Sequence, residues 1–352
     1  MILNSLFVLS TMATLTTPEA GTNLRTAAQQ SKIEFGTCIE PNQLEIAGLR
    51  EILLGEFSVI EAENTMKFGP IHPPPGNDDA SYDFVGADKL RDFAKQHRLK
   101  LRGHTLVWHN QNAAWVTDGT RTIEELRTAM EGHIAKVVGR YKGQIYAWDV
   151  VNEAFNDDGT MRPSVWHDRP GIGFAGQGTA YLEHAFRAAR KADPKAKLYY
   201  NDYGAETLGK KADAIYAMAK DFKARGVPMD GIGFQAHLIM QMNNQGALDS
   251  IEKNFDRFAK LGLDIEITEM DIRTPNGSPE MMKEQAEFYG KFVALCRKNP
   301  RVKLIQTWGI SDKHSWIPRA FRGMGWALLW DENYQKKPAY HAVLEALKGP
   351  QK

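Results

Sequence analysis

Eight short apolar runs recur between positions 33 and 347, and stretches with apolar residues at helical spacing lie between them. The runs predict strands over 33–39, 58–64, 100–109, 145–153, 197–203, 231–238, 264–271 and 303–311. Leu182, Ala185, Phe186 and Ala189 make one helical stripe, and Ile251, Phe255, Phe258 and Ala259 a second. Phe288, Phe292 and Leu295 make a third. Gly226 and Gly262 each stop a helix just before the next strand, the usual place for a left-handed cap. Strand followed by helix, repeated in this number, is the count of a single (β/α)8 TIM barrel of the α/β class. An open doubly wound sheet is the competing arrangement. Its phosphate-binding GxGxxG turn is absent after the first strand. Only the Pro73-Pro74-Pro75-Gly76 loop interrupts the alternation, so residues 22–352 read as one domain.

Composition narrows the partners. With 43% hydrophobic and 25% charged residues, the 352-residue chain can bury a full core. A net charge of +1 without blocks of like charge argues against nucleic acid or a membrane surface as partner, and a monomer is expected. No apolar run reaches the ~18–20 residues of a spanning helix. Cys38 in the first strand and Cys296 late in a helix read as packing residues, too few for a disulfide framework. Leu6 to Leu15 resembles the apolar core of a leader, although no Lys or Arg precedes it. Residues 1–21 are therefore expected to be a leader segment, and the protein to be secreted or periplasmic.

A barrel gathers the C-terminal ends of its strands on one face. Glu153 in WDVVNEA closes the fourth strand, and Glu269 in DIEITEMDI lies near the end of the seventh. Glu63 and Asn64 end the second, His104 and His109 the third, Gln235 and His237 the sixth, and Trp308 the eighth. One or two polar strand ends merely solvate the chain; a set drawn from six strands marks a site. Glu269 and Asp271 are two apart on one strand and so face one side, and Gln235 and His237 share that spacing. His237 and Asp271 are accordingly expected to keep Glu269 oriented and ionised. Asn152 and Glu153 are consecutive, so both reach one ligand only if the strand bends or ends there.

Trp108, Trp308, Trp316 and Tyr203, at or beyond strand ends, offer the flat apolar faces on which pyranose rings stack. Trp148, Trp166 and Trp330 read as core. Two carboxylates in such surroundings suit hydrolysis of a glycosidic bond, one giving a proton while the other attacks. A metal hydrolase would show clustered ligands. The ten His residues form no His-X-His pair and no HExxH, so neither metal nor cofactor is expected. A binding protein that had lost catalysis would lack one of the two Glu.

The runs AENTMK, RGHTLVWH, WDVVNEA, GIGFQAH, ITEMDI and TWGISDKHSW, in that order, resemble those of glycoside hydrolase family 10, the endo-β-1,4-xylanases. The likeness covers nearly the whole chain from Ile33 onward. It implies a retaining double displacement with Glu153 as acid/base and Glu269 as nucleophile. It also implies Glu63, Asn64, Lys67, His104, Trp108, Asn152, Gln235, His237, Trp308 and Trp316 as sugar-binding residues, with xylan and xylo-oligosaccharides as substrates. Thr65 departs from the acidic residue often found there, and the stretch 69–79 is longer than usual. A related β-1,4-glucanase is the nearest alternative. Discrimination turns on how residues near Trp316 crowd the hydroxymethyl group that glucose has and xylose lacks.

Overall fold

A computed structural model describes residues 22–72 and 82–349. Eight parallel strands close on themselves: β1 (Glu34–Cys38), β2 (Val59–Glu61), β3 (Lys100–Gly103), β4 (Ile145–Asn152), β5 (Lys197–Asp202), β6 (Gly231–Phe234), β7 (Asp264–Arg273) and β8 (Val302–Thr307). Each pairs with its neighbours in chain order, and β8 pairs with both β7 and β1. The strands are buried nearly throughout, the pattern of a parallel sheet covered on both faces. The matching helices are α1 (Ala47–Glu56), α2 (Val85–His97), α3 (Ile123–Arg140), α4 (Ala180–Ala192), α5 (Lys210–Ala224), α6 (Gln245–Lys260), α7 (Pro279–Lys298) and α8 (Pro338–Lys348).

The helical stripes of α4, α6 and α7 are buried against this barrel, with Ala259 at the margin. Gly226 and Gly262 adopt φ of 66° and 79° just past α5 and α6, where a side chain would be strained. A short helix, Leu24–Gln30, precedes β1 and is tied to the end of α1 by the Leu24 N–H donating to Glu56. Ser31 joins the two termini by donating to the Leu347 carbonyl at 2.6 Å. No helix among the described residues is long and apolar enough to cross a membrane. Cys38 and Cys296 are both buried and free. The leader-like segment and the Pro73–Gly76 loop lie outside the described residues.

Several strands are shorter than their sequence runs. The third splits into β3 and a two-residue piece, Val107–Trp108, that pairs with the end of β4. The sixth splits into β6 and His237–Ile239, which pairs with the end of β7. Glu63, Asn64 and Trp308 lie in loops past β2 and β8. The cause is the same in each case: polar residues at the mouth of the barrel extend the run but not the ladder.

Inside the barrel, Arg102 of β3 is fully buried and gathers carboxylates from three other strands. It donates to Glu61 at 2.9 Å, to Glu266 at 2.8 Å and, in bidentate fashion, to Asp149. One guanidinium cannot neutralise three carboxylates. Burial pushes the Glu61 carboxyl up to about 7 and also raises Glu266, with Arg102 opposing both.

Candidate active site

A cleft of about 880 Å³ opens at the C-terminal ends of the strands. Glu63, Asn64 and Lys67 line it from the loop after β2, His104 and Trp108 from the segment after β3, and Asn152 and Glu153 from the end of β4. Tyr203 follows β5, Gln235 and His237 follow β6, Glu269 lies on β7, and Trp308 and Trp316 follow β8. Asp271 is buried outside this lining, beneath His237 and Trp316.

Glu269 is held by two partners. Its Oε1 accepts from Asn201 Nδ2 at 2.8 Å, and its Oε2 lies 3.2 Å from His237 Nε2. The Asn201 amide is fixed in turn, because its Oδ1 accepts from the Thr268 hydroxyl at 2.7 Å. Gly233 makes room for it: a Cβ there would stand 2.3 Å from Asn201 Oδ1. His237 Nδ1 lies 3.0 Å from Asp271 Oδ2, which also accepts from Trp316 Nε1 at 2.9 Å. Burial disfavours charge on His237, yet the carboxylates of Asp271 and Glu269 overcome this and push its pKa up to about 10. Burial likewise works against an ionised Glu269. The hydrogen bond from His237 and the nearby charge of His104 and His237 prevail, holding the carboxyl below its ordinary range.

Glu153 sits in other company. Trp108 Nε1 donates to its Oε2 at 2.9 Å and Gln235 Nε2 to its Oε1 at 2.9 Å. His109 Nδ1 stands 3.8 Å from Oε2. The puzzle of two consecutive residues sharing one cleft has a plain answer. Glu153 has a φ of 56°, so the strand ends there in a left-handed turn and Asn152 and Glu153 both face the cleft. Ala236, between Gln235 and His237, has a φ of 58°. These two residues therefore reach the cleft across a kink rather than by the alternation of a regular strand.

The remaining polar residues brace the walls. His104 Nδ1 lies 2.9 Å from Asp149 Oδ2, and its ring meets Trp308 edge to face at 5.3 Å. Burial opposes a charged His104, but Asp149, Glu269 and Glu61 raise its pKa. Lys67 donates to Asn64 at 2.9 Å with its ammonium 4.8 Å above the Trp108 ring. Thr65 donates to Glu40, which also accepts from the Asn64 N–H. An acidic residue at 65 would repel Glu40 instead. Trp148, Trp166 and Trp330 are buried, and Trp166 Nε1 supports the Trp108 carbonyl at 2.9 Å.

Asn201, Asp149, Arg273 and Arg319 were not singled out by the sequence patterns, yet Asn201 and Asp149 bond site residues and the two arginines line the cleft. Asn201 shares the parity of Tyr203 on the fifth strand, and that was the available signal. Among the described residues one group, Glu61, His104 and Asp149, is close enough to hold a cation. Arg102 already donates to both of its carboxylates and supplies a buried positive charge to the group.

Comparison with known proteins agrees with this architecture. The family described as Glycosyl hydrolase family 10 matches residues 23–346. Endo-1,4-beta-xylanase B of Thermotoga neapolitana is 40% identical over 329 residues, covering 92% of this chain and 91% of the relative. An endo-1,4-beta-xylanase of Agaricus bisporus is 38% identical, covering 91% and 92%. The crystal structure of xylanase 10B from Thermotoga petrophila RKU-1 in complex with xylobiose superposes with a TM-score of 0.86 at 44% identity, covering 93% of this chain and 97% of that one.

Proposed function

The chain belongs to glycosyl hydrolase family 10, and from that premise we propose that it is an endo-1,4-β-xylanase cleaving internal bonds of xylan with retention of configuration. The observation that carries the reading is the unequal environment of two carboxyls in one cleft. Glu269 is held in place by Asn201 and kept ionised by His237 and His104, as a nucleophile must be. Glu153 is aimed into the same cleft by Trp108 and Gln235.

In the first step Glu269 attacks the anomeric carbon while Glu153 gives its proton to the departing glycosidic oxygen. In the second, Glu153 takes a proton from water as that water displaces Glu269, and both residues return to their starting states. Asn152 is placed to hydrogen-bond the sugar 2-hydroxyl, a contact that strengthens at the transition state. Trp308 and Trp316 offer rings to the sugar faces, and Glu63, Asn64 and Lys67 bind hydroxyls farther along the chain. Action outside the cell fits a polymer substrate and the leader-like start of the sequence.

The reading is tested by proton NMR of the earliest products from xylan. The β-anomer is expected first; initial α-anomer means inversion and removes the assigned roles. Viscosity falling ahead of reducing-sugar release marks internal cleavage, and equal rates on carboxymethyl cellulose would overturn the xylan assignment.

A further inference from the structure

The peptide group that follows Glu153 is held at both ends by side chains. Its carbonyl accepts from Arg162 Nε at 3.0 Å, and its N–H, that of Ala154, donates to the Tyr200 hydroxyl at 2.9 Å. The preceding peptide group is also fixed, because the Glu153 N–H donates to the Asn201 carbonyl at 2.9 Å. Between these anchors the backbone sits at a φ of 56°, which a residue with a Cβ adopts only when its surroundings impose it.

Both anchoring side chains are themselves tied down. Tyr200 is fully buried and its hydroxyl donates to Asp202. Asp202 Oδ1 is 2.8 Å from Lys211 Nζ, and that ammonium lies 3.7 Å from the centre of the Tyr203 ring. Arg162 reaches the same Tyr203 from the other side, donating to its hydroxyl at 2.9 Å. Burial pushes the Asp202 carboxyl up to about 7 with Lys211 opposing, and the charge of Glu153 adds to the rise. The clamp and the glutamate it flanks are thus within electrostatic reach of each other.

We propose that Tyr200 and Arg162 are positioning residues for proton transfer, holding the left-handed turn that aims the Glu153 carboxyl into the cleft beside Asn152. The proposal rests on reading Glu153 as the acid/base. With either handle removed, the turn relaxes toward extended backbone, in which consecutive side chains point to opposite faces. Glu153 then leaves the leaving-group oxygen, while Glu269, fixed by a different set of bonds, stays in place. The defect is confined to substrates whose leaving group needs a proton.

The test compares kcat/KM for the β-xylobiosides of phenol and of 2,4-dinitrophenol in Tyr200→Phe, Arg162→Met and, as reference, Glu153→Ala. kcat/KM reports only steps through departure of the aglycone, and dinitrophenolate departs without protonation. For each positioning variant the phenyl substrate is expected to lose about tenfold, the scale of one lost hydrogen bond, with the dinitrophenyl substrate within about twofold. Equal losses on both substrates, or no loss on either, would overturn the proposal provided Glu153→Ala retains only the dinitrophenyl activity. If Glu153→Ala shows no such selectivity, the acid/base reading itself falls and the positioning role with it. Should Tyr200→Phe fail to fold, Arg162→Met tests the opposite end of the same peptide group.

Discussion

Replacing Asp271 by Asn removes a charge from beneath the nucleophile while leaving its shape. Asp271 and Glu269 together carry the His237 imidazole from an ordinary 6.5 to about 10. At 1.36 kcal/mol per pH unit this is roughly 5 kcal/mol in favour of the charged ring, after burial has taken its share. Losing the nearer carboxylate removes on the order of half of that, or nearly two pH units, so His237 is expected to become neutral above about pH 8 rather than above about 10. Above that pH Glu269 keeps a hydrogen bond but loses a charge-assisted one, a difference of about 1.5 kcal/mol, or roughly tenfold in kcat. The sign for pH follows. Glu269 takes up its proton below the ordinary carboxyl range, where the ring is protonated with or without Asp271, so the acidic side of the profile keeps its imidazolium. The basic side of the kcat/KM profile must therefore begin to fall about two units earlier, while the acidic limb keeps its place. Trp316 still finds an oxygen at position 271, which isolates the charge effect from packing. Steady-state kinetics on an aryl xylobioside between pH 3 and 9 decides the matter. An Asp271→Asn enzyme that keeps the wild-type rate and the wild-type basic side up to pH 9 would contradict this role for Asp271.

Three further outcomes are expected. Glu269→Ala should be inactive on every substrate, whereas Glu153→Ala with added azide should turn over an activated aryl glycoside faster and yield a β-glycosyl azide; an α-azide in the product NMR contradicts the roles. Dialysis against a chelator should leave the rate unchanged, as should a reductant, since Arg102 already donates to both carboxylates of the candidate cation group and both cysteines are free; activity restored by one divalent ion contradicts this. His133 is fully buried against Phe68, 4.2 Å between ring centres, and neither of its nitrogens has a hydrogen-bond partner among the described residues. Burial, with His72 adding, lowers its pKa to about 3. The unfolded chain takes up this proton first, so the stability it confers is complete above 6.5 and is lost as pH falls toward 3. That amounts to about 2 kcal/mol by pH 5; His133→Leu should lack this part of the decline in urea midpoint.

The barrel was legible because its strands are buried on both faces and read as uninterrupted apolar runs between helical stripes. Strand ends were not, since Glu63, Asn64 and Trp308 continue the run after hydrogen bonding has stopped. The polar residues that line the cleft were legible from their places at strand ends and from the family likeness of their motifs. What held them was harder to see. Asn201 sits inside an ordinary strand, and its value depends on Thr268 and Gly233 from two other strands. Arg102 looks like a strand residue with a solvated head, and only barrel closure shows that it points inward. The turn at Glu153 was visible only as a condition, the bend that two consecutive residues need to share a ligand, because nothing in an Asn-Glu-Ala sequence announces a positive φ.

Arg102 draws Glu61 and Asp149 from β2 and β4 but Glu266 from β7, so the two halves of the molecule are unequal. A fragment ending after α4 contains the guanidinium and two of its acceptors, together with Tyr146, whose hydroxyl also reaches Glu266. A fragment beginning at β5 must bury Glu266 with Tyr199 as its neighbour and no cation. The second half therefore leaves Glu266 without its cation unless the first half is present. Arg102 is thus a seam between the two halves, and the later half should hold its interior better when co-expressed with the earlier one than alone.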